Sequence, residues 1–536
     1  MAQAQPAEAI GGRAAEPTEA ELAEARRRVG GAYSWYVLGI MVLVYVFNFI
    51  DRQILAILAE DIKRDLAIDD AQLGFLYGTV FGVFYALFGI PLGRLADMWH
   101  RIRLLSLGLA LWSGMTALSG FARSFAQLAA ARIGVGIGEA TASPVAFSVL
   151  SDYFPKEKRA TALAIYSSGL YIGGGLSLFI GGLIKDNWNA AFPGGGPLGL
   201  VGWQAAFLSV GIPGLLLALW VASLREPIRG LSEGIVMPRE PRPWPKFFAE
   251  LSSVIPPFTL FHAASFGPRA LLRNVAALAA AAGAAAILAA SVGNWPQWAA
   301  IGVAAYAIFS WAQSLAQRDP PTFRLIWGTP TFLLLVLAAG CLAFVGYAIG
   351  FWQVPYVIRA FGADAATAGF FLGGGGALGG FLGVVAGGRL ADWLKARNPA
   401  GRILVGFIAA LGPVPLVFLM FTTGSIAAYY AAAFLVSIFA SMWVGVVAAT
   451  TQDLVLPRMR GAATATYFLG TTIIGLGLGP FTIGKLSELF RDLALANLAM
   501  IAVAPVGVFL LVLVYRGLPE AERTRVDRAR AAGEPV

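Results

Sequence analysis

Charge is what this chain is short of. Only 13% of its 536 residues are Asp, Glu, Lys or Arg, while 58% are apolar, against about 25% and roughly 45–50% in an ordinary soluble domain. Too few charged residues remain to clothe a water-soluble fold of this length, which would divide into several domains, each with its own polar shell. Cysteine is nearly absent too: Cys341 stands alone, which excludes a disulfide framework and a multi-thiolate metal site. Two histidines, His100 and His262, are too few for a multi-histidine metal centre. The net charge of +9 sits in short clusters between long uncharged runs. That pattern excludes a nucleic-acid-binding stripe and reads as a set of topology signals. A polytopic membrane protein is the class left.

Residues 1–30 hold no short apolar segment followed by a small-residue cleavage site, and they end in Arg26, Arg27 and Arg28. No cleaved leader is expected; the apolar run from Tyr33 should stay as a spanning helix, with the arginines holding the tail in the cytoplasm. Stretches of about 20 mostly apolar residues, enough to cross a roughly 30 Å hydrocarbon core, number fourteen. On that count the inner loops carry Arg94, Arg101 and Arg103; Lys156, Lys158 and Arg159; Arg389, Lys395, Arg397 and Arg402; then Arg458 and Arg460. The first outer loop, 60–70, is mainly acidic and the loop at 291–295 has no charge. Basic loops inside predict two cytoplasmic termini.

The chain repeats itself. Gly93-Arg94-Leu95-Ala96-Asp97 returns as Gly388-Arg389-Leu390-Ala391-Asp392, and Asp152, Pro155 and Arg159 are echoed by Asp453, Pro457 and Arg460. Two parallel six-helix blocks follow, which would place a substrate site between the halves near mid-membrane. The predicted layout is a tail at 1–32, a bundle at 33–224, a cytoplasmic linker at 225–271, an inserted hairpin and short loop at 272–328, a second bundle at 329–515 and a cytoplasmic tail at 516–536. Pro, aromatic and basic residues from Pro241 to Pro268 suggest a segment lying on the membrane surface. The Ala-rich hairpin after it is suited to close packing, against the bundle or another copy, and is read as a peripheral addition.

These motifs resemble the major facilitator superfamily, both in the Gly-x-x-x-Asp loop at Gly93–Asp97 and in Arg132-x-Gly134-x-Gly136 on the fourth helix. Asn48-Phe49-Ile50-Asp51-Arg52, Gly138-Glu139-Ala140 and Asp152-Tyr153-Phe154-Pro155 further resemble the Spinster-like lipid transporters. The likeness implies an all-α major facilitator fold, two six-helix bundles in pseudo-twofold arrangement plus the inserted two-helix hairpin. It also implies a role for Asp51 and Glu139 in proton coupling. Met98 and His100 depart from the usual basic residue and glycine of the loop motif, and the hairpin is foreign to twelve-helix relatives.

Asp51, Arg52, Arg132 and Glu139 are the ionisable groups that interrupt apolar spans. Each costs about 2.5–3.5 kcal/mol at the bilayer centre even on low estimates, so they should face a cavity and find partners. At about 1.5 Å per residue, Asp51 and Arg132 each lie roughly 12 Å below the outer helix ends, and Glu139 follows Arg132 by about two turns. The spacing predicts a column of Asp51, Arg132 and Glu139, with Arg52, Arg132 and Asn48 as charge partners or head-group ligands. Opening such a cavity to water changes the proton affinity of its carboxylates, which a proton-coupled carrier needs.

The second bundle offers a polar-aromatic wall instead: Tyr347, Trp352, Gln353, Tyr356, Tyr429, Tyr430, Ser437 and Tyr467. A charged half facing such a wall suits an amphipathic substrate, of the lysophospholipid or sphingolipid class. Gly93, Asp97, Arg101, Asp152, Arg159, Asp392, Asp453 and Arg460, with Arg397, are candidates for an inner gate built from ion pairs at helix ends. The glycine runs at Gly173–Gly175, Gly373–Gly376 and Gly475–Gly479 should permit close helix contact. The expected function is a proton-coupled secondary transporter with no cofactor, no metal, no nucleic acid and no catalytic residues, working as a monomer in a bacterial inner membrane. The rival readings are an organic-anion or drug transporter, and a sensor or scramblase on the same fold.

Overall fold

The computed structural model describes residues 24, 28–233 and 240–535; Arg26 and Arg27 of the expected tail charges lie outside the described residues. Among the described residues there is no strand, and fourteen helices are long and apolar enough to cross a membrane. The first half comprises α1 (Ala32–Leu66), α2 (Asp70–Met98), α3 (Arg101–Ser119), α4 (Phe125–Tyr153), α5 (Lys156–Ala191) and α6 (Gly202–Ala222). Two short helices, α7 (Pro243–Val254) and α8 (Phe258–Ala264), lead into the hairpin of α9 (Pro268–Val292) and α10 (Trp295–Arg318), and a short α11 (Pro320–Ile326) follows. The second half runs α12 (Pro330–Phe361), α13 (Ala365–Lys395), α14 (Arg402–Thr422), α15 (Ile426–Asp453), α16 (Pro457–Phe490) and α17 (Leu493–Arg523), with α18 (Arg525–Ala531) behind it. An even number of crossings puts both ends of the chain on one face, here the proximal face; the opposite one is the distal face.

Local chemistry explains the boundaries. Asp69 accepts from Gln72 N at 2.6 Å while Gln72 Oε1 accepts from Asp69 N at 3.0 Å, a reciprocal cap that starts α2. Asp364 caps α13 in the same sense, and Pro occupies the first turn of α9, α10 and α12. The expected loop at 60–70 is mostly helix, because Arg64 bridges Asp61 and Asp65 along the surface of α1 at 2.9 Å each and carries it to Leu66. Ala67, at φ 49°, then stops it.

Within the first half α1 packs along α5 and α3 along α6; in the second, α13 packs on α15 and α12 on α17. The halves meet along two seams, α5–α13 and α2–α16. Glycine sets both distances. A Cβ on Gly175 would lie 2.8 Å from the Gly373 carbonyl, and one on Gly78 would lie 2.1 Å from that of Leu476, so backbone rests on backbone. At the second seam both helices widen, α2 over Phe75–Thr79 and α16 over Thr471–Leu478, to one residue more per hydrogen-bonded turn. Pro480, which has no N–H to give to a regular ladder, follows directly on the turn in α16.

The hairpin is glued internally by buried polar groups, as close helix pairs in lipid often are. Asn274 donates to Gln313 Oε1 at 2.7 Å, Tyr306 donates to Asn274 at 2.5 Å, and Thr259 of α8 meets the Tyr306 hydroxyl at 2.7 Å. It docks on the bundle, against α2 and α16, rather than standing apart.

Backbone contact within the first half gives a direct test. A Cβ on Gly211 of α6 would sit 2.5 Å from Ala117 N and 2.7 Å from Ser113 O of α3, whereas one on Gly89 meets nothing within 4 Å. Gly211→Leu should cost about 1–3 kcal/mol and lower the unfolding midpoint of the purified protein by several degrees, while Gly89→Ala leaves it unchanged. Equal midpoints would mean that α3 and α6 are not in contact.

Candidate functional site

Four charged side chains meet in the core of the first half. Arg52 of α1 donates to Glu139 Oε2 of α4 through Nη2 at 2.8 Å and Nε at 3.2 Å. Both groups are buried, at 6% and 1% exposure. The guanidinium lies against three aromatic faces, Phe49 at 4.9 Å, Phe81 at 4.8 Å and Tyr85 at 4.9 Å, which hold a desolvated cation by their ring quadrupoles. Arg132 packs over Phe81 at 5.1 Å and donates to the main-chain oxygen of Asp51 at 3.2 Å.

The pairing differs from the expected column. Glu139 belongs to Arg52, not Arg132, and Arg132 holds the backbone of Asp51 rather than its carboxylate. Helix rotation is the reason: adjacent residues point about 100° apart on α1, so Arg52 turns to the α4 carboxylate while Asp51 turns inward to face Trp112 and Thr116 of α3. Asp51 is fully buried and makes no ion pair among the described residues; the Trp112 N–H and the Thr116 hydroxyl are the polar groups its carboxylate faces, Asn48 faces Glu139, and two Arg132 nitrogens are unmatched. Each buried unmatched polar group costs about 1–3 kcal/mol. Two guanidinium groups beside two carboxylates make a donor set that suits proton exchange or an anion rather than a metal ion. Among the described residues no group of three or more His, Cys, Asp or Glu side chains is placed to hold a metal.

The aromatic wall expected from the second half divides. Tyr347 is half-buried and within electrostatic reach of Arg52, so it faces the charged core across the interface. Tyr356 and Tyr429 stack on each other at 5.4 Å among Phe361 and Phe421 near the distal end, and Tyr429 donates to the Gln353 main-chain oxygen at 3.4 Å. Trp352 is fully buried and donates to Pro480 O at 2.8 Å, a bond that fastens α12 to α16. Tyr430 stacks on Phe371 at 4.8 Å, Ser437 bonds back to Ala433 O at 2.9 Å, and Tyr467 is buried beside Phe468. Of these side chains only Tyr347 meets the charged core. Phe49, Phe81 and Tyr85, missed from sequence, supply the aromatic surface next to the charges; Phe81 and Tyr85 share one face of α2 at a four-residue spacing, a signal that was there to read.

The proximal motifs make ties inside each half. Arg101, 1% exposed, bonds Asp152 at 2.5 Å, Glu226 at 2.7 Å and Pro227 O at 2.8 Å. Arg229 holds the main-chain oxygens of Ala96, Asp97 and Trp99, and Arg159 donates to Ser232 at 3.1 Å. Gly93 faces Pro144 of α4. In the second half Asp453 bonds Arg402 at 2.7 Å and Lys395 at 2.5 Å, and Asp392 bonds Arg402 at 3.3 Å. Arg402, not the Trp393-stacked Arg397, is therefore the counterpart of Arg101, while Arg460, set against Arg159 by the repeat, is exposed. Each begins the third helix of its half and reaches the aspartate that ends the fourth. Among the described residues these proximal pairs do not latch the halves together.

The halves are latched at the distal face, by residues the sequence reading did not single out. Arg359, in the last turn of α12, bonds both oxygens of Asp70 at 2.7 and 2.8 Å and Glu60 at 2.7 Å. Lys63 at 2.6 Å and Ser487 of α16 at 2.8 Å complete the shell of Asp70, and Glu488 accepts from Ala71 N at 2.8 Å. Beside these bonds, among the distal helix ends, opens a cavity of 730 Å³ lined by Asp69, Gln72, Arg359, Glu488 and Arg491 among others. Closure at one face with ties confined to single halves at the other is the geometry of a carrier facing the proximal side.

The model of the Major Facilitator Superfamily matches residues 41–480. The chain belongs to the Major Facilitator Superfamily. Its members are transporters, not enzymes, and this one is a multi-pass membrane transporter of Spinster-like type. It is similar to an MFS-type efflux pump of Mycolicibacterium smegmatis, 26% identical over 467 residues that cover 87% of each chain. Protein spinster homolog 1 of Homo sapiens is 26% identical over 480 residues, 85% of this chain and 73% of that one. Among solved structures, a bacterial homolog of the human lysosomal transporter Spinster, inward-facing and occupied, superposes with a TM-score of 0.67 at 26% identity, covering 93% of this chain and 98% of that one.

A titratable carboxyl also lines the distal cavity beside the latch. Burial, with Glu488 beside it, pushes the Asp69 carboxyl up to about 6. A raised value means that the distal-closed state binds this proton more tightly than a state in which α2 and α16 separate. Closure is therefore favoured in acid and loses this contribution as pH rises through about 6. With the effect discounted for the partial exposure of Asp69, the closed fraction should rise several-fold between pH 7.5 and pH 5, read by labelling of a distal-side cysteine, and Asp69→Asn should flatten that slope. An equal slope in both proteins would remove Asp69 from the latch.

Proposed function

We propose that this facilitator carries an amphipathic, lipid-like substrate by proton-coupled alternating access, as a monomer, with Asp51 and Glu139 as proton carriers and no other cofactor. The observation that carries the reading is the buried Arg52–Glu139 pair lying beside a fully buried Asp51 carboxylate that makes no ion pair among the described residues. Breaking a buried pair by removing one charge leaves the other stranded at a cost of about 3–5 kcal/mol. Protonation of Glu139 is such a removal. Arg52 then keeps only its aromatic faces, and a conformation that offers the guanidinium water or a substrate anion becomes the better state. Each proton moving down the membrane potential supplies about 2.3 kcal/mol per 100 mV.

The substrate class follows from the surroundings of the charges. A phosphate-bearing head group is matched by Arg52 and Arg132, and an acyl tail by the faces of Phe49, Phe81, Tyr85 and Tyr347. The likeness of the first- and fourth-helix motifs to Spinster-like lipid transporters supports the same class. The basic proximal loops support an orientation with that face, and both termini, in the cytoplasm of a bacterial inner membrane.

Uptake of a lysophospholipid by proteoliposomes decides it, with wild type, Glu139→Gln and Asp51→Asn compared under an imposed proton gradient. Gradient-driven uptake that falls at least about tenfold in Glu139→Gln, together with loss of the pH dependence in Asp51→Asn, is expected. Uptake indifferent to collapse of the gradient would refute coupling and describe a scramblase. Competition by a small dicarboxylate but not by lysolipid would make this an organic-anion carrier.

A further inference from the structure

Transport by two six-helix halves does not account for the hairpin. Its second helix lies over the α2–α16 seam and touches both sides of it. Gln297, in the first turn of α10 and 1% exposed, is the point of contact. The Thr79 hydroxyl of α2 lies 2.5 Å from Gln297 Oε1 and 2.5 Å from Gly477 O of α16, sharing its proton between them. Gln297 Nε2 donates to the same Gly477 carbonyl at 3.1 Å. Thr79 closes the widened turn of α2 and Gly477 lies in that of α16, so one side-chain amide joins the two irregular segments where the halves touch.

Apolar packing continues the contact toward the proximal face. Val83, Ala86 and Leu87 of α2, Leu469 and Ile473 of α16, and Ala304, Ala307 and Trp311 of α10 form one buried cluster, joined by Val254 of α7. Trp298 meets Phe481 of α16 edge-on at 5.7 Å, and Trp244 of α7 packs on Trp99 at 5.0 Å.

We infer that the hairpin is a clasp across the α2–α16 seam, which holds the distal face closed, and that Gln297 is its positioning residue. Both bonds made by Gln297 need Thr79 and Gly477 side by side, and parting of the halves at the distal face separates those two residues. The hairpin can travel with only one half, so its tie to the other is broken and remade in each cycle. The balance between the two facing states is thereby set by a residue of the hairpin that belongs to neither six-helix half and takes no part in the Arg52–Glu139 pair.

The inference rests on alternating access, which belongs to the family, and not on the identity of substrate or coupling ion. Its test uses neither. Spin labels placed through Ala67→Cys, after α1, and Leu495→Cys, at the start of α17, in a Cys341→Ser background, report the distance between the distal ends of the halves in the full-length protein in lipid nanodiscs. Both label sites are exposed. Loss of a buried hydrogen bond changes an equilibrium roughly three- to tenfold. Gln297→Ala and Thr79→Val should each raise the ratio of the long-distance to the short-distance population by that factor. Thr79→Val keeps the side-chain shape and decides the matter should Gln297→Ala fail to fold. Distance distributions identical to the parent protein in the variants that fold would overturn the inference.

Discussion

Everything polar in this membrane protein is governed by the cost of leaving a charge in oil. Arg52 and Glu139 meet that cost with one another and with three aromatic rings, and Arg132 meets part of it with a backbone oxygen. Because the aromatic faces come from α1 and α2 and the carboxylate from α4, the pair also fixes how three helices of the first half sit together. An ion pair so buried contributes little net stability by itself, since desolvation offsets attraction. What it gives the fold is a definite arrangement of the helices that supply its members.

The three tiers of ionic contact divide the labour by depth. At the proximal end Arg101–Asp152 and Arg402–Asp453 stay within their own halves and make each a rigid unit. At mid-membrane the Arg52–Glu139 pair lies buried within the first half, where the proposed mechanism places protons and substrate. At the distal end Arg359 and Asp70 cross between halves, as does the Ser487 hydroxyl. Only the last tier must be dismantled for the carrier to face the other way; Arg359 and Lys63 at its rim are partly exposed, so water compensates part of what they lose, while Asp70 at its centre is buried. The glycine-lined seams allow the remaining backbone contacts to part without dragging side chains through one another.

Much of this architecture was legible in the residues. Helix number and the internal repeat follow from apolar length and from the Gly-Arg-Leu-Ala-Asp echo, since both are written in local sequence. The four core charges stand out for the same reason: a charge within an apolar run is conspicuous. Their pairing was not legible, because depth along a helix is set by residue count whereas the direction of a side chain depends on helix rotation and tilt, which neighbours fix. Asp51 and Arg52 show it, adjacent in sequence and pointing to different partners. The distal latch escaped for another reason. Asp70, Arg359 and Ser487 lie far apart in the chain and each looks like an ordinary helix-end residue, so only the closed fold discloses their meeting. Arg397 was taken as the mirror of Arg101 because it lies close behind the repeated Asp392, whereas Arg402, at the start of the next helix, is the one that reaches Asp453.

The twin proximal ties carry a consequence for biosynthesis. By the time residue 232 has been made, Arg101 has Asp152, Glu226 and Pro227, and Arg159 has Ser232, so these ties can form before the hairpin exists. The leading bundle can fasten its proximal end while the ribosome is still translating the hairpin, as domains made first fold first during synthesis.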